Sequence, residues 1–169
     1  MTDCAEEVYR SLIAPIEERM LATVSRIVRD PEDAADTLQE VLAVVWRKLR
    51  KIHRHPNPHA YIMRICITRS YDALRKRVRR RALAERSQRE EWEMPQGSRP
   101  ERRETMALVH QAIASLPTRQ GQAILLRLIE GATYETIGKI LACSPATARS
   151  HVSKGKERLR VLLTDAGVL

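Results

Sequence analysis

Apolar residues recur at three- and four-residue intervals along most of the chain, and no stretch keeps the alternation expected of a strand. The pattern predicts an all-α fold. Near the amino terminus Val8, Leu12 and Ile16 share one face, and after a break expected at Pro15 come Leu21, Val24 and Ile27–Val28. Asp30–Pro31 joins a capping side chain to a residue suited to a first helical turn, so a new helix is predicted from there to about Leu49. Leu38, Leu42, Val45 and Leu49 form its predicted stripe, with Gln39, Glu40, Arg47 and Lys48 away from it. Prolines 56 and 58 interrupt the chain, and another helix is predicted from near His59 through Ile62, Ile65 and Leu74 into an arginine run.

Three short helices are predicted towards the carboxy terminus. Pro117 stops the preceding segment, Thr118 is a candidate cap for a helix reaching about Glu130, and Gly131 supplies a left-handed stop. Thr133 caps the second, with Glu135 in its first turn and Ile137, Ile140 and Leu141 facing inward. After a turn at Ala142–Cys143, Ser144–Pro145 starts the third. Its inward positions are Ala148, Val152, Gly155 and Leu159, which leaves Thr147, Arg149, Ser150, Ser153, Lys154 and Lys156 outward. Ser144 to Arg160 holds five cations and one acid. This is the pattern of a helix-turn-helix that lays its second helix in a DNA major groove.

Charge sharpens the picture. The chain has 30 Lys and Arg against 21 Asp and Glu, a net +9, which points to a polyanionic partner. Ten cations and two acids lie between Arg64 and Arg89, and six of the seven residues from Arg75 to Arg81 are basic. These cations repel one another unless phosphates lie near. Tyr61, Tyr71 and Trp46 are candidate base-stacking residues in the same module, although lone aromatics at such positions more often belong to a core.

Two small helical domains are expected, residues 5–86 and 104–165, joined by a flexible linker at 87–103 in which Pro95, Gly97, Ser98 and Pro100 break helix. No apolar run spans a bilayer and Met1–Cys4 does not open a signal peptide, so a cytoplasmic protein without membrane insertion is expected. Cys4, Cys66 and Cys143 are odd in number and scattered, which suits reduced thiols. His53, His55, His59 and Cys66 match no common zinc spacing, and no phosphate loop, serine elbow or carboxylate pair is present. Neither catalysis nor a cofactor or metal is expected.

The motifs together resemble an extracytoplasmic-function (ECF) sigma factor, a two-domain specificity subunit of bacterial RNA polymerase, and the resemblance covers nearly the whole chain. Asp30 to Glu40 with Val45–Trp46 resembles the domain 2 helix that grips the β′ clamp helices. Tyr61 to Ile65, Asp72 to Arg75 and the arginine run resemble its −10-reading and melting helix. Leu116 to Gln120, Glu130–Gly131, Tyr134 to Ile137 and Thr147 to Arg158 resemble domain 4, which reads the −35 element. The resemblance implies polymerase binding through Leu38, Gln39 and Glu40, with the β flap as a further contact. It implies −10 contacts from Tyr61, Arg64, Thr68, Arg69, Arg75, Arg77, Arg79 and Arg80, holding single strand. It implies −35 duplex contacts from Thr133, Tyr134, Pro145, Thr147, Arg149, Ser150 and Lys154. Sigma factors of this kind are commonly masked by an anti-sigma protein, a candidate further partner. There are three departures from the family: Ile67–Thr68 replaces an Arg-Asn pair, Ala142 a turn glycine and Thr136 a capping-box glutamate. Two other classes fit parts of the chain. A stand-alone regulator would need a sensor or dimerisation module in residues 1–86, and an RNA-binding adaptor would need no polymerase.

Overall fold

The computed structural model describes residues 2–86 and 100–169. Helices α1 (Thr2–Leu12) and α2 (Glu17–Val28) flank a 3₁₀ turn at Ala14–Ile16, so the chain breaks at Pro15 as its ring requires. Then come α3 (Pro31–Arg47), α4 (Leu49–His53), α5 (Pro58–Arg86), α6 (Pro100–Ser115), α7 (Thr118–Leu128), α8 (Tyr134–Leu141) and α9 (Pro145–Asp165). No strand occurs among the described residues. Helix α6 opens within the stretch assigned to the linker, while residues 87–99, Trp92 among them, lie outside the described residues.

Local starts follow the sequence closely. The Asp30 carboxylate accepts from the Asp33 N–H at 2.9 Å ahead of Pro31, and the Ser144 hydroxyl accepts from the Thr147 N–H at 3.1 Å ahead of Pro145. Gly131 is left-handed. Four expectations are corrected. Thr118 does not cap α7; Pro117 holds that position without a side-chain bond, and Thr118 is the first helical residue. Leu21 is 51% exposed, and Met20 takes its place in the core beside Ile27. The buried stripe of α3 is Ala34, Thr37, Val41, Val44 and Val45. Leu38, Leu42 and Leu49 are half-buried at its margin, and the helix ends at Arg47.

Helix α5 is the centre of the molecule. It packs on α2 and α3 on the amino-terminal side and on α6, α7 and α8 on the carboxy-terminal side. One apolar core runs through both modules, from Ile13, Met20 and Val45 through Ile67 and Tyr71 to Leu116, Ile124 and Ile137. Close approach of α7 to α5 depends on Gly121, where a β-carbon would stand 2.4 Å from the Tyr71 ring. The two modules are therefore docked in the described structure. Among the described residues no helix is long and apolar enough to cross a membrane.

Candidate nucleic-acid interface

Helices α8 and α9 build a helix-turn-helix on a sealed apolar base. Ile137, Ile140, Leu141, Ala148, Val152 and Leu159 are all buried. The intervening turn places Ala142 at φ 54°, ψ 54°, left-handed without being glycine. Burial of one side of α9 leaves Pro145, Thr147, Arg149, Ser150 and Lys154 exposed on the other, as expected. Thr133 spends its hydroxyl on the α8 start, accepting from the Thr136 N–H at 3.2 Å. With threonine at 136 that position returns only a hydroxyl contact, 3.1 Å from Thr133 Oγ1. The Glu135 carboxyl is held below its ordinary range, first by a backbone N–H of the helix start and then by the Thr133 hydroxyl. Tyr134 lies between two guanidinium groups, Arg127 and Arg149, each 5.0 Å from the ring centroid. Its face orients Arg149 at the edge of α9.

The second basic surface lies on α5, and its residues are not equivalent. Tyr61 is half-buried between the Arg64 guanidinium, 5.5 Å from its centroid, and the His55 ring at 5.1 Å. Arg64 Nε donates to the Ile140 carbonyl. The Thr68 hydroxyl accepts from Gln122 Nε2 at 3.3 Å, and Ile67 beside it is fully buried. Arg75 donates to the carbonyls of Ala114 at 3.0 Å and Leu116 at 2.8 Å, and to the Thr118 hydroxyl at 3.2 Å. Arg77 donates to the Val28 carbonyl at 2.8 Å, and Arg80 forms a two-pronged pair with the Asp33 carboxylate at 2.8 and 3.0 Å. Arg69 is half-buried, and Lys76 and Arg79 are exposed. The arginine run is thus a helix whose cations also brace the helices around it. Tyr71 is fully buried and donates its hydroxyl to Leu116 at 2.7 Å, so it is core and no stacking platform.

A third surface is formed by α3, where Gln39 and Glu40 are exposed beside half-buried Leu38. Trp46 is 51% exposed and meets Tyr9 edge-on at 5.8 Å. Cys66 is buried, and burial pushes its thiol up to about 12, which makes it unreactive.

Several polar contacts carry no local sequence signal. The Glu130 side chain is only 5% exposed, and its carboxylate lies 3.9 Å from Arg19 and 3.6 Å from Arg26 of α2. Arg119 donates to the Leu141 carbonyl at the end of α8, and Arg158 to Gln120 Oε1. His110 of α6 is lowered to about 4, by burial first and then by Arg29, Arg77 and Arg81.

The chain has counterparts for both modules. The family model for sigma-70 region 2 matches residues 12–80, and that for sigma-70, region 4, matches residues 106–159. The chain is 28% identical over 159 residues to the RNA polymerase sigma-H factor of Pseudomonas aeruginosa, covering 88% of this chain and 82% of that protein. It is 28% identical over 165 residues to the RNA polymerase sigma factor CarQ of Myxococcus xanthus, covering 96% and 93%. Its fold resembles that of CnrH, solved in complex with the cytosolic domain of CnrY, with TM-score 0.56, 17% identity and 95% of both chains covered. It also resembles the sigma factor RpoE of Bartonella quintana, solved with the anti-sigma factor NepR, with TM-score 0.53, 23% identity and 97% and 98% covered.

Proposed function

This chain belongs to the ECF sigma factors of bacterial RNA polymerase, acting in promoter recognition and transcription initiation, and on that footing we propose how its surfaces divide the work. Residues 5–86 bind polymerase core and the −10 element, 104–165 bind the −35 element and the β flap, and 87–103 link the two. Leu38, Gln39 and Glu40 of α3 meet the β′ clamp helices. Their exposed polar edge beside a half-buried leucine suits a mixed apolar and hydrogen-bonded contact.

Helix α9 enters the −35 major groove. Arg149 reads a base edge, Thr147 and Ser150 contact bases or phosphates, and Lys154 neutralises backbone. Thr133, Tyr134 and Pro145 lie at the helix starts where phosphates are held. The −10 strand, once unpaired, runs along α5. Arg64, Arg69, Arg75 and the cations to Arg80 offset its charge, while Tyr61 and Thr68 meet bases. Capture of an extruded base offsets an unpairing cost of a few kcal/mol. Sigma factors are not a class of catalysts, and we infer that the chain carries out no reaction itself, needs no cofactor and works in the cytoplasm. An anti-sigma protein is a fitting regulator, since both fold neighbours were solved with such a regulator or a cytosolic partner domain.

The observation that carries this reading is the exposed Thr147, Arg149, Ser150, Lys154 edge of α9 on a fully buried apolar base. The test is a binding titration with polymerase core. Wild type binds, Glu40→Lys loses core affinity with unchanged helicity, and unchanged affinity of that variant would remove α3 from the docking surface.

A further inference from the structure

The basic edge of α9 is backed by side chains of two other helices. Gly131, left-handed at φ 61°, turns the chain after α7 so that Ala132 comes back against the end of that helix. Both backbone groups of Ala132 are then engaged. Its N–H donates to the Leu126 carbonyl at 3.0 Å, and its carbonyl accepts from Arg127 Nη1 at 2.8 Å. Thr133 caps α8 immediately afterwards, and Tyr134 is the first residue of that helix. The Arg127 guanidinium, tied at Nη1, lies over the Tyr134 ring at 5.0 Å, and the Arg149 guanidinium of α9 lies over the same ring at 5.0 Å. Arg127 and Tyr134 are half-buried, whereas Arg149 is exposed. A series of contacts thus runs from the backbone of the α7–α8 turn to an exposed cation of α9.

An arginine on an open helix face samples many rotamers, and two-pronged recognition of a base edge requires one orientation of its fork. The ring behind Arg149 narrows that choice. The ring itself stands on a side chain with two torsions at the start of a short helix, so it aims Arg149 only while something holds it in turn. Arg127 meets that need, because a guanidinium lies flat on an aromatic face and its own position is set by the Ala132 carbonyl. We propose that Arg127 is a positioning residue for −35 base selection: it acts through Tyr134 to aim Arg149. The proposal rests on the reading of α9 as the −35 helix with Arg149 at a base edge. Two cations near one ring could instead serve as plain phosphate attraction, and the two roles differ in what they do to sequence preference.

The test uses holoenzyme assembled from polymerase core and the full chain. The probe is a fluorescein-labelled promoter duplex selected by the wild-type holoenzyme from a pool randomised around −35, with a panel altered at one −35 base pair at a time. Arg127→Lys keeps the charge and a donor for the Ala132 carbonyl, but its ammonium has no flat face to lay on the ring. It should reduce discrimination at the base pair that Arg149 reads by roughly two- to five-fold, the weight of an exposed cation–π contact, and leave the other positions unchanged. In an Arg149→Ala background it should have no further effect. Tyr134→Phe keeps the ring and should keep the preference. Tyr134→Leu should act as Arg127→Lys does while sparing the Ala132 contact, so either variant carries the test if the other unfolds. Uniform weakening across the panel, relaxation at a base pair that Arg149→Ala leaves alone, or unchanged binding by Arg127→Lys overturns the positioning role. Unchanged preference in Arg149→Ala itself would fall on the −35 reading and take the proposal with it. Relaxed preference there, with none in Arg127→Lys, would fall on the proposal alone.

Discussion

Tyr71 and Arg75 of α5 converge on one atom, the Leu116 carbonyl oxygen, which accepts from the tyrosine hydroxyl at 2.7 Å and from Arg75 Nη2 at 2.8 Å. The guanidinium also lies 4.7 Å from the tyrosine ring centroid. One turn of α5 thus satisfies the end of α6 and fixes where α7 begins. Tyr71→Phe leaves the ring in place and removes the hydroxyl, and should cost about 1–2 kcal/mol in urea unfolding with an unchanged m-value. Gly121→Ala acts from the opposite side, since its β-carbon would meet the same ring at 2.4 Å. That variant should keep its helicity and enlarge the particle in scattering; a compact Gly121→Ala chain would show that the ring yields instead.

Acid should loosen the docked form through His110. Its pKa is lowered to about 4 by burial and by the Arg29, Arg77 and Arg81 guanidinium groups. The neutral ring is therefore the form that the docked chain favours. Its stabilising contribution is full above about 6.5, the ordinary histidine value, and declines as pH falls from there towards about 4. The thermal midpoint of the wild type should fall across that window more steeply than that of His110→Gln. Parallel curves for the two would mean that acidic residues alone set the dependence.

The left-handed Ala142 gives a stability prediction inside the helix-turn-helix. Placing a β-carbon at φ 54° costs about 1 kcal/mol relative to glycine. Ala142→Gly should accordingly raise stability by about that amount in urea titration and leave DNA preference unchanged. A loss of stability would mean that freedom gained by the unfolded chain outweighs the relieved strain.

What the sequence revealed divides along a physical line. Asp30–Pro31, Thr133, Gly131 and Ser144–Pro145 were legible because caps and stops involve residues within one turn of each other. The Ala148, Val152, Gly155, Leu159 face was legible because polar residues fill the rest of α9. In α3 the apolar residues spread over more than half the circumference, so period alone could not choose the valine side over the leucine side. Leu21 against Met20 was the same ambiguity of one helical position. The arginine run was legible as charge but not as structure: nothing local indicates that Arg77 reaches Val28 or that Arg80 reaches Asp33. Glu130, Gln122 and His110 acquire their roles only when the modules dock.

In the −35 reading, Arg149 and Lys154 have separable effects. Arg149 is held over Tyr134 at the start of α9, and its guanidinium has the paired donors that a guanine edge accepts. Arg149→Ala should cost roughly 1–3 kcal/mol and relax preference at one or two base pairs. Lys154→Ala should weaken all sequences about equally and reduce the salt slope by about one ion. Binding of the two variants across a panel of singly altered duplexes separates these; unchanged preference in Arg149→Ala would place base reading elsewhere on α9.

The most direct test of the whole account is transcription in vitro by polymerase core, with and without this chain, on a fragmented library of the genome that encodes it. A sigma factor built as described should yield discrete chain-dependent start sites that share one sequence near −35 and another near −10, and both Glu40→Lys and Arg149→Ala should diminish them. Transcripts identical in the presence and absence of the chain, with core shown active on a nicked template, would contradict it.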